Sequence, residues 1–243
     1  MKKADGEILT RLAERLRPLG MMTRGGFHPT AADDVPALPD GAAAMTVVLI
    51  GNAGRAMWPA FVAADAHDAN PLDGWTRRKL NEIAGLVGAA ALFPFDGPPW
   101  LPFQRWALRA DNVHPSPIGP LIHPVYGLWH AYRGALAFPQ TIELAPAPAA
   151  PAPCDTCADK PCLATCPVDA LVPGSYDVPA CAAHVGSSAG VDCRNAGCRA
   201  RAACPVGADY RYAPAQARFH MAAFLSRVSE GTRATGKDGR DSR

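Results

Sequence analysis

The sequence predicts an α+β protein built from two modules, and three observations carry that reading. All eight cysteines lie between Cys154 and Cys204, so residues 1–153 contain none. The segment ELAPAPAAPAPC alternates Pro146, Pro148, Pro151 and Pro153 with alanine, a composition that favours extended polyproline geometry and behaves as a semi-rigid spacer. Upstream of it, short β-branched runs alternate with stretches of helical apolar spacing. These place an α+β module at 1–148, a cysteine-rich module at 149–230 and a polar, disordered tail at 231–243.

Composition narrows the function classes. With 19% charged residues and a formal net charge of +2, the chain lacks the basic stripe of a nucleic-acid binder, and no nucleic-acid partner is expected. Ile8, Leu9, Leu12 and Leu16 fall at helical spacing and are interleaved with Glu14, Arg15 and Arg17, so the N-terminus reads as an amphipathic helix and not a signal peptide. No apolar run reaches membrane-spanning length, so no membrane association is expected and a cytoplasmic location follows. Disulfides are rare in that reducing compartment, and eight clustered cysteines therefore point to metal or cluster binding.

Within the first module, 45–50 (MTVVLI) reads as a strand buried on both faces. Gly51, Asn52, Ala53 and Gly54 read as the turn into a helix through Trp58, Phe61 and Val62. That turn either offers backbone N–H groups to an anion or simply precedes a packing helix. A second helix begins with Asp73 as N-cap and buries Trp75, Leu80, Ile83, Leu86 and Val87, leaving Arg77, Arg78 and Lys79 as a solvated face. Residues 91–95 and 134–138 read as strands and 102–109 as a short helix. After the cysteines, Pro214 opens a helix with Phe219, Ala223, Phe224 and Val228 on one face.

The cysteine spacing is the most specific signal. Cys154-x2-Cys157-x4-Cys162-x3-Cys166-Pro167 approximates the bacterial run in which three cysteines bind one [4Fe-4S] cluster and the fourth crosses to another. Cys181-x11-Cys193-x4-Cys198-x5-Cys204-Pro205 is looser but closes on the same Cys-Pro pair, which makes a duplicated ferredoxin-like arrangement the simplest reading. The crossing rule assigns Cys154, Cys157, Cys162 and Cys204 to one cluster and Cys166, Cys181, Cys193 and Cys198 to the other. A three-iron cluster at the second site stays open. Two structural zinc sites are the rival reading, but zinc favours paired CxxC knuckles, and only Cys154 and Cys157 form one. Arg194, Arg199 and Arg201 flank the second motif, either to stabilise a reduced cluster or dock an acidic partner, or as solvated surface residues.

A compact first motif, an isolated Cys181 and a second group ending in Cys204-Pro205 resemble the C-terminal iron-sulfur domain of epoxyqueuosine reductases and reductive dehalogenases. The segment LIHPVYGLWHAYRGALAF at 121–138 resembles the His-Pro-x-x-Gly-x-Trp-x-x-x-Arg-Gly segment of the cobalamin-processing CblC family, through His123, Pro124, Gly127, Trp129, Arg133 and Gly134. The resemblance implies a flavin-nitroreductase-like α+β domain holding a corrinoid, with His123, Trp129 and Arg133 as cofactor-binding candidates. It does not supply the catalytic acid or tyrosine of the larger enzymes, so epoxide reduction and dehalogenation are not carried over.

Read from their chemistry, His114, His123 and His130 are candidate ligands or proton donors, or packed side chains. Arg133 suits a carboxylate, a phosphate or a thiol tripeptide, or a structural pair with an acidic group. Trp58, Trp75, Trp100, Trp106 and Trp129 either fill a core or line a flat cofactor slot. Three readings follow. The first is an oxidoreductase whose two clusters deliver electrons to a corrinoid or related cofactor. The second is a non-enzymatic electron carrier whose first module binds a protein partner, and the third is a metal-stapled binding protein.

Overall fold

The computed structural model describes residues 2–146 and 149–237. The chain forms two compact units, one of Met1–His114 with Trp129–Pro151 and one of Pro115–Leu128 with Ala152–Arg243. The module boundary expected at Pro148 lies outside the described residues.

The first unit is α+β around a four-stranded sheet of β1 (Met22–Phe27), β2 (Thr46–Ala53), β3 (Ala90–Leu92) and β4 (His130–Phe138), in the order β1-β2-β4-β3 with every neighbouring pair antiparallel. β2 is buried along its whole length, as its β-branched run predicts, but it does not stop at Ile50. Gly51, Asn52 and Ala53 pair with Tyr132, Ala131 and His130, and the Gly54 amide donates to the Trp129 carbonyl at 2.7 Å. Residues 51–53, read as a turn, are therefore strand, because the sheet uses their backbone. Gly51 makes the extension feasible: a Cβ there would meet the Ala131 oxygen at 2.3 Å.

β4 likewise runs four residues upstream of the expected 134–138. Ile50 pairs with Gly134 and Gly51 with Tyr132, which makes Arg133 the extra residue of a β-bulge. β1 was not foreseen, since MTRGGF has no β-branched run. Its register shifts between Thr23 and Gly26, and Gly25, at φ +74°, passes so close to the Ala110 carbonyl that only glycine fits.

The helices of this unit are α1 (Lys2–Leu16), α2 (Trp58–Ala63), α3 (Pro71–Val87) and α4 (Phe103–Ala110). α1 buries Leu12 and Leu16. α3 is capped by Asn70 with Pro71 in the first turn, so Asp73 lies inside the helix. Leu86, expected in the core, is exposed. Nor is the basic triplet wholly solvated: Arg77 lies 4.7 Å and 5.1 Å from the Phe93 and Phe95 rings and pairs with Asp96, and β3 ends at Leu92, short of the expected 95. Trp75, Trp106 and Trp129 are packed, whereas Trp100 is 60% exposed.

The second unit has short helices α5 (Pro161–Ala164), α6 (Val178–Gly186), α7 (Val191–Ala196) and α8 (Arg199–Ala202), and the long α9 (Pro214–Lys237). A hairpin of β5 (Leu171–Val172) and β6 (Ser175–Tyr176) precedes α6. α6 and α7 pack on α9. Among the α9 residues whose burial is described, Gln216 and Ala217 are buried, Phe219, Phe224 and Val228 are half-buried, and Ala223 is exposed. The helix extends to Lys237, into the tail expected to be disordered, and 238–243 lie outside the described residues.

One ion pair fixes α4 to the loop after β1. Buried Asp33 accepts from the Thr30 amide at 2.7 Å, the Thr30 hydroxyl at 2.8 Å and Arg109, while the Trp106 indole donates to the Asp33 carbonyl at 2.7 Å. Burial alone pushes this carboxyl up, but Arg109 and the Thr30 donors outweigh it and hold the group at about 2. An unfolded aspartate titrates near 3.9, so the stabilisation is present above about pH 4 and is lost as pH falls toward 2. Asp33→Asn is expected to lower unfolding free energy by roughly 2 kcal/mol at pH 7, with the gap to wild type closing near pH 2 in denaturant melts. A pH-independent gap would rule out the ion pair as its origin.

Candidate metal centres

The eight cysteines sit on turns and on the ends of short helices. Cys162 lies in α5, Cys181 in α6 and Cys193 in α7, while Cys198 precedes α8 and Cys204 follows it. Prolines Pro161 and Pro179 occupy helix first turns, and Asp177 caps α6 by accepting from the Ala180 amide at 2.9 Å. None of the thiols is in a disulfide.

Their mutual surroundings divide them into two sets. Burial raises the Cys154 thiol, and Cys204, Cys162 and Cys157 add to it; Cys162 is raised by burial and then by Cys204 and Cys157. Cys204 is also raised by burial, with Cys157 adding to it. In the other set, burial raises Cys181, with Cys198, Cys166 and Cys193 adding to it, and burial raises Cys193, with Cys198 and Cys166 adding. Cys166, Cys181, Cys193 and Cys198 also line one cavity of about 220 Å³, whose walls include Ile118, Leu171, Tyr176, Val185, Met221 and Phe224.

This donor set suits a polynuclear cluster. Four soft thiolates around an apolar cavity match the ligation of an iron-sulfur cube. Among the described residues, no group of three or more His, Cys, Asp or Glu side chains is close enough to hold a single ion, and a tetrahedral zinc would need all four sulfurs at about 2.3 Å from one point. Backbone amides supply donors to sulfur: the Ala170 N–H reaches the Cys166 Sγ at 3.4 Å, Val206 serves Cys204, and Arg199 serves Cys193. Two of the flanking arginines have structural partners, while Arg199 is exposed and lines the cavity. Arg194 donates to the Val185 carbonyl at 2.6 Å, and Arg201 donates to the Leu128 carbonyl at 2.5 Å and stacks 4.6 Å from Tyr212.

The three candidates for cofactor binding divide between the units: His123 belongs to the second, Trp129 and Arg133 to the first. The His123 Nδ1 accepts the amides of Val125 at 3.0 Å and Tyr126 at 3.2 Å. The neutral ring therefore carries its proton on Nε2, which suits a hydrogen-bond donor and does not suit a metal ligand at that nitrogen. Its ring stacks on Tyr126 at 4.3 Å, and Tyr126 meets Tyr210 edge-on at 4.9 Å. Trp129 is buried. The half-buried Arg133 donates from Nε to the neutral Asn52 Oδ1 at 3.0 Å. His114 meets Asn112 at 3.2 Å, and the His130 ring lies edge-on to Tyr132. Tyr176 was missed by the sequence reading; its position between Cys166 and Cys181 was the available signal.

Gly127 explains part of the motif at 123–134. At φ +57° its missing Cβ would lie 1.9 Å from the Val206 oxygen, just after Cys204-Pro205.

No family model matches the sequence, and no curated protein matches it. Solved structures do match its fold. An epoxyqueuosine reductase aligns with TM-score 0.55 and 14% identity over 88% of this chain and 69% of its own. The C. elegans B12-trafficking protein CblC, a human MMACHC homologue, aligns with TM-score 0.52 and 15% identity over 90% of this chain and 92% of its own. A third neighbour is an epoxyqueuosine reductase bound to a tRNA-Tyr stem loop, with TM-score 0.52 and 15% identity over 86% and 68% of the two chains. These likenesses show a shared fold. Among the described residues no helix is long and apolar enough to cross a membrane.

Gly127→Ala is expected to lower the melting temperature by several degrees, whereas Gly85→Ala, with nothing within 4 Å of its added Cβ, is expected to leave it unchanged or raise it. Thermal melts of the two variants check this; equal melting temperatures would refute the constraint.

Proposed function

We propose that the chain is an iron-sulfur redox protein that passes electrons through two [4Fe-4S] clusters, one on Cys154, Cys157, Cys162 and Cys204 and one on Cys166, Cys181, Cys193 and Cys198. The observation that carries the reading is the sorting of eight thiols into two sets of four, one of them around a single apolar cavity. When bound, such clusters supply one-electron transfer at a potential tuned by hydrogen bonds, charge and burial. The chain's own contribution is to hold deprotonated cysteines in place, exclude water with Ile118, Leu171, Met221 and Phe224, and donate amides to sulfur. The electron acceptor is a corrinoid or related cofactor taken up by the α+β unit, a class supported by the fold likeness to CblC. Trp129 and Arg133 are the binding residues of that unit. Such reduction makes the chain an oxidoreductase; without a bound cofactor it is an electron carrier recognising a protein partner.

Anaerobic purification with iron, sulfide and zinc analysis is the test. About eight irons per chain are expected, with a broad band near roughly 400 nm that bleaches on dithionite. Cys166→Ser and Cys157→Ser are each expected to remove about half of the iron. Two zincs and no bleaching would overturn the reading, and a spectrum of added cobalamin that stays unchanged would remove the corrinoid.

A further inference from the structure

The hairpin between Cys166 and Cys181 is built to present one side chain to sulfur. Pro173 and Gly174 form its two-residue loop, with Gly174 at φ +77°, a combination that matches a type II turn. Leu171 pairs with Tyr176 across the hairpin, and the Asp177 amide donates to the Ala170 carbonyl at 2.8 Å, so the ladder continues past the strands. Both ends of the hairpin are tied to cysteines of the same set. At one end the Ala170 amide reaches the Cys166 Sγ at 3.4 Å; at the other the Cys181 amide donates to the Asp177 carbonyl at 3.1 Å, one turn into α6. Leu171 is buried in the apolar cluster with Cys162 and Cys204, which anchors the hairpin. Tyr176 then lines the cavity together with Cys166, Cys181, Cys193 and Cys198, and its hydroxyl acts on the Cys181 thiol against the effect of burial.

We propose that Tyr176 is a positioning residue that sets the reduction potential of the cluster on Cys166, Cys181, Cys193 and Cys198 by donating its O–H to the Cys181 sulfur. This rests on the two-cluster reading above. A ligating cysteine is a thiolate and only accepts, while a tyrosine hydroxyl remains a donor at neutral pH, so the direction of the bond is fixed by chemistry. Taking up one electron adds negative charge that spreads onto the ligand sulfurs, and a donor to sulfur stabilises the reduced form more than the oxidised one. Tyr176 is 43% exposed, so removing its hydroxyl leaves no buried hole. The bond also makes the two clusters unequal, since it acts on one set only.

The test is an anaerobic redox titration of the intact protein, with dithionite as reductant and electron paramagnetic resonance as readout, comparing wild type with Tyr176→Phe. The expected result is a lower midpoint for one of two cluster signals, by about a tenfold change in the oxidised-to-reduced ratio at fixed potential, or about 59 mV for a one-electron couple. The other signal is expected to hold still. Unchanged midpoints, or an equal shift in both, would overturn the proposal. So would loss of half the iron in Tyr176→Phe, which would make the residue a structural support. Deuterium exchange gives a second reading: the iron–sulfur stretching frequencies are expected to move more in wild type than in the variant, and equal movement would count against the bond. Wild-type protein without iron would instead remove the two-cluster reading itself, an outcome that iron analysis separates from the others.

Discussion

Two stretches of backbone, at 126–127 and 206–207, cross so closely that neither tolerates a Cβ, and the second unit depends on that crossing. A side chain at Gly127 would strike the Val206 oxygen, and one at Gly207 would lie 2.3 Å from the Tyr126 carbonyl carbon. The crossing joins a segment far upstream to the residues that follow Cys204. Arg201 reinforces it from the next turn by donating to the Leu128 carbonyl. Ile118, Ile122 and Leu128 from the upstream segment then complete an apolar cluster with Leu171, Ala200, Cys162 and Cys204. Helices of four to nine residues, such as α5 to α8, do not persist in isolation. Their order comes from this small core.

The electrostatics of the thiols point the same way. Burial raises five of the eight, and neighbouring thiols raise them further, with Lys160 and Arg211 acting in the opposite sense on one set and Arg199 on the other. Thiols that resist deprotonation while facing one another make a strong site for a cation-rich group. Loading therefore releases protons and removes the mutual repulsion in one step. The backbone donors from Ala170, Val206 and Arg199 limit the charge left on sulfur afterwards.

Much of this was legible in the sequence, and for definite reasons. The cysteine spacing is readable because ligation fixes residue type and position together, and β2 is readable because a strand buried on both faces must be apolar throughout. What escaped was structure held by tertiary contact. β1 contains Gly25 and Gly26, chosen for close approach to Ala110 and Val47 and not for strand propensity. The continuation of β2 through Gly51 looked like a turn for the same reason: glycine marks either a turn or a tight approach, and only the neighbouring Ala131 carbonyl decides between them. Arg77 looked solvated because its partners Phe93, Phe95 and Asp96 are remote on the helix periodicity. The place of Tyr176 in the cavity wall was invisible because its hairpin is only two residues per strand.

The α+β unit shows how the same close approach organises polar groups. Its two register shifts flank β2, one on β1 and one on β4, and each involves an arginine. Arg24 lies within the shift of β1, is buried, and donates from Nε to Asp111 at 2.8 Å, the same carboxylate oxygen that takes the Tyr132 hydroxyl at 2.9 Å. Arg133 is the bulged residue of β4 and reaches Asn52 on β2. Gly51 lies between them, because a Cβ there would meet both the Ala131 oxygen and the Arg24 Cγ. One missing methyl therefore lets an arginine–aspartate–tyrosine network and an arginine–asparagine pair form on neighbouring strands. Buried networks of this kind cost desolvation and return little net stability, but they tolerate few alternative pairings of the strands that carry them. The sheet register is in this way fixed at the end where Arg133 and Trp129 lie, the part of the unit that the CblC-like motif occupies.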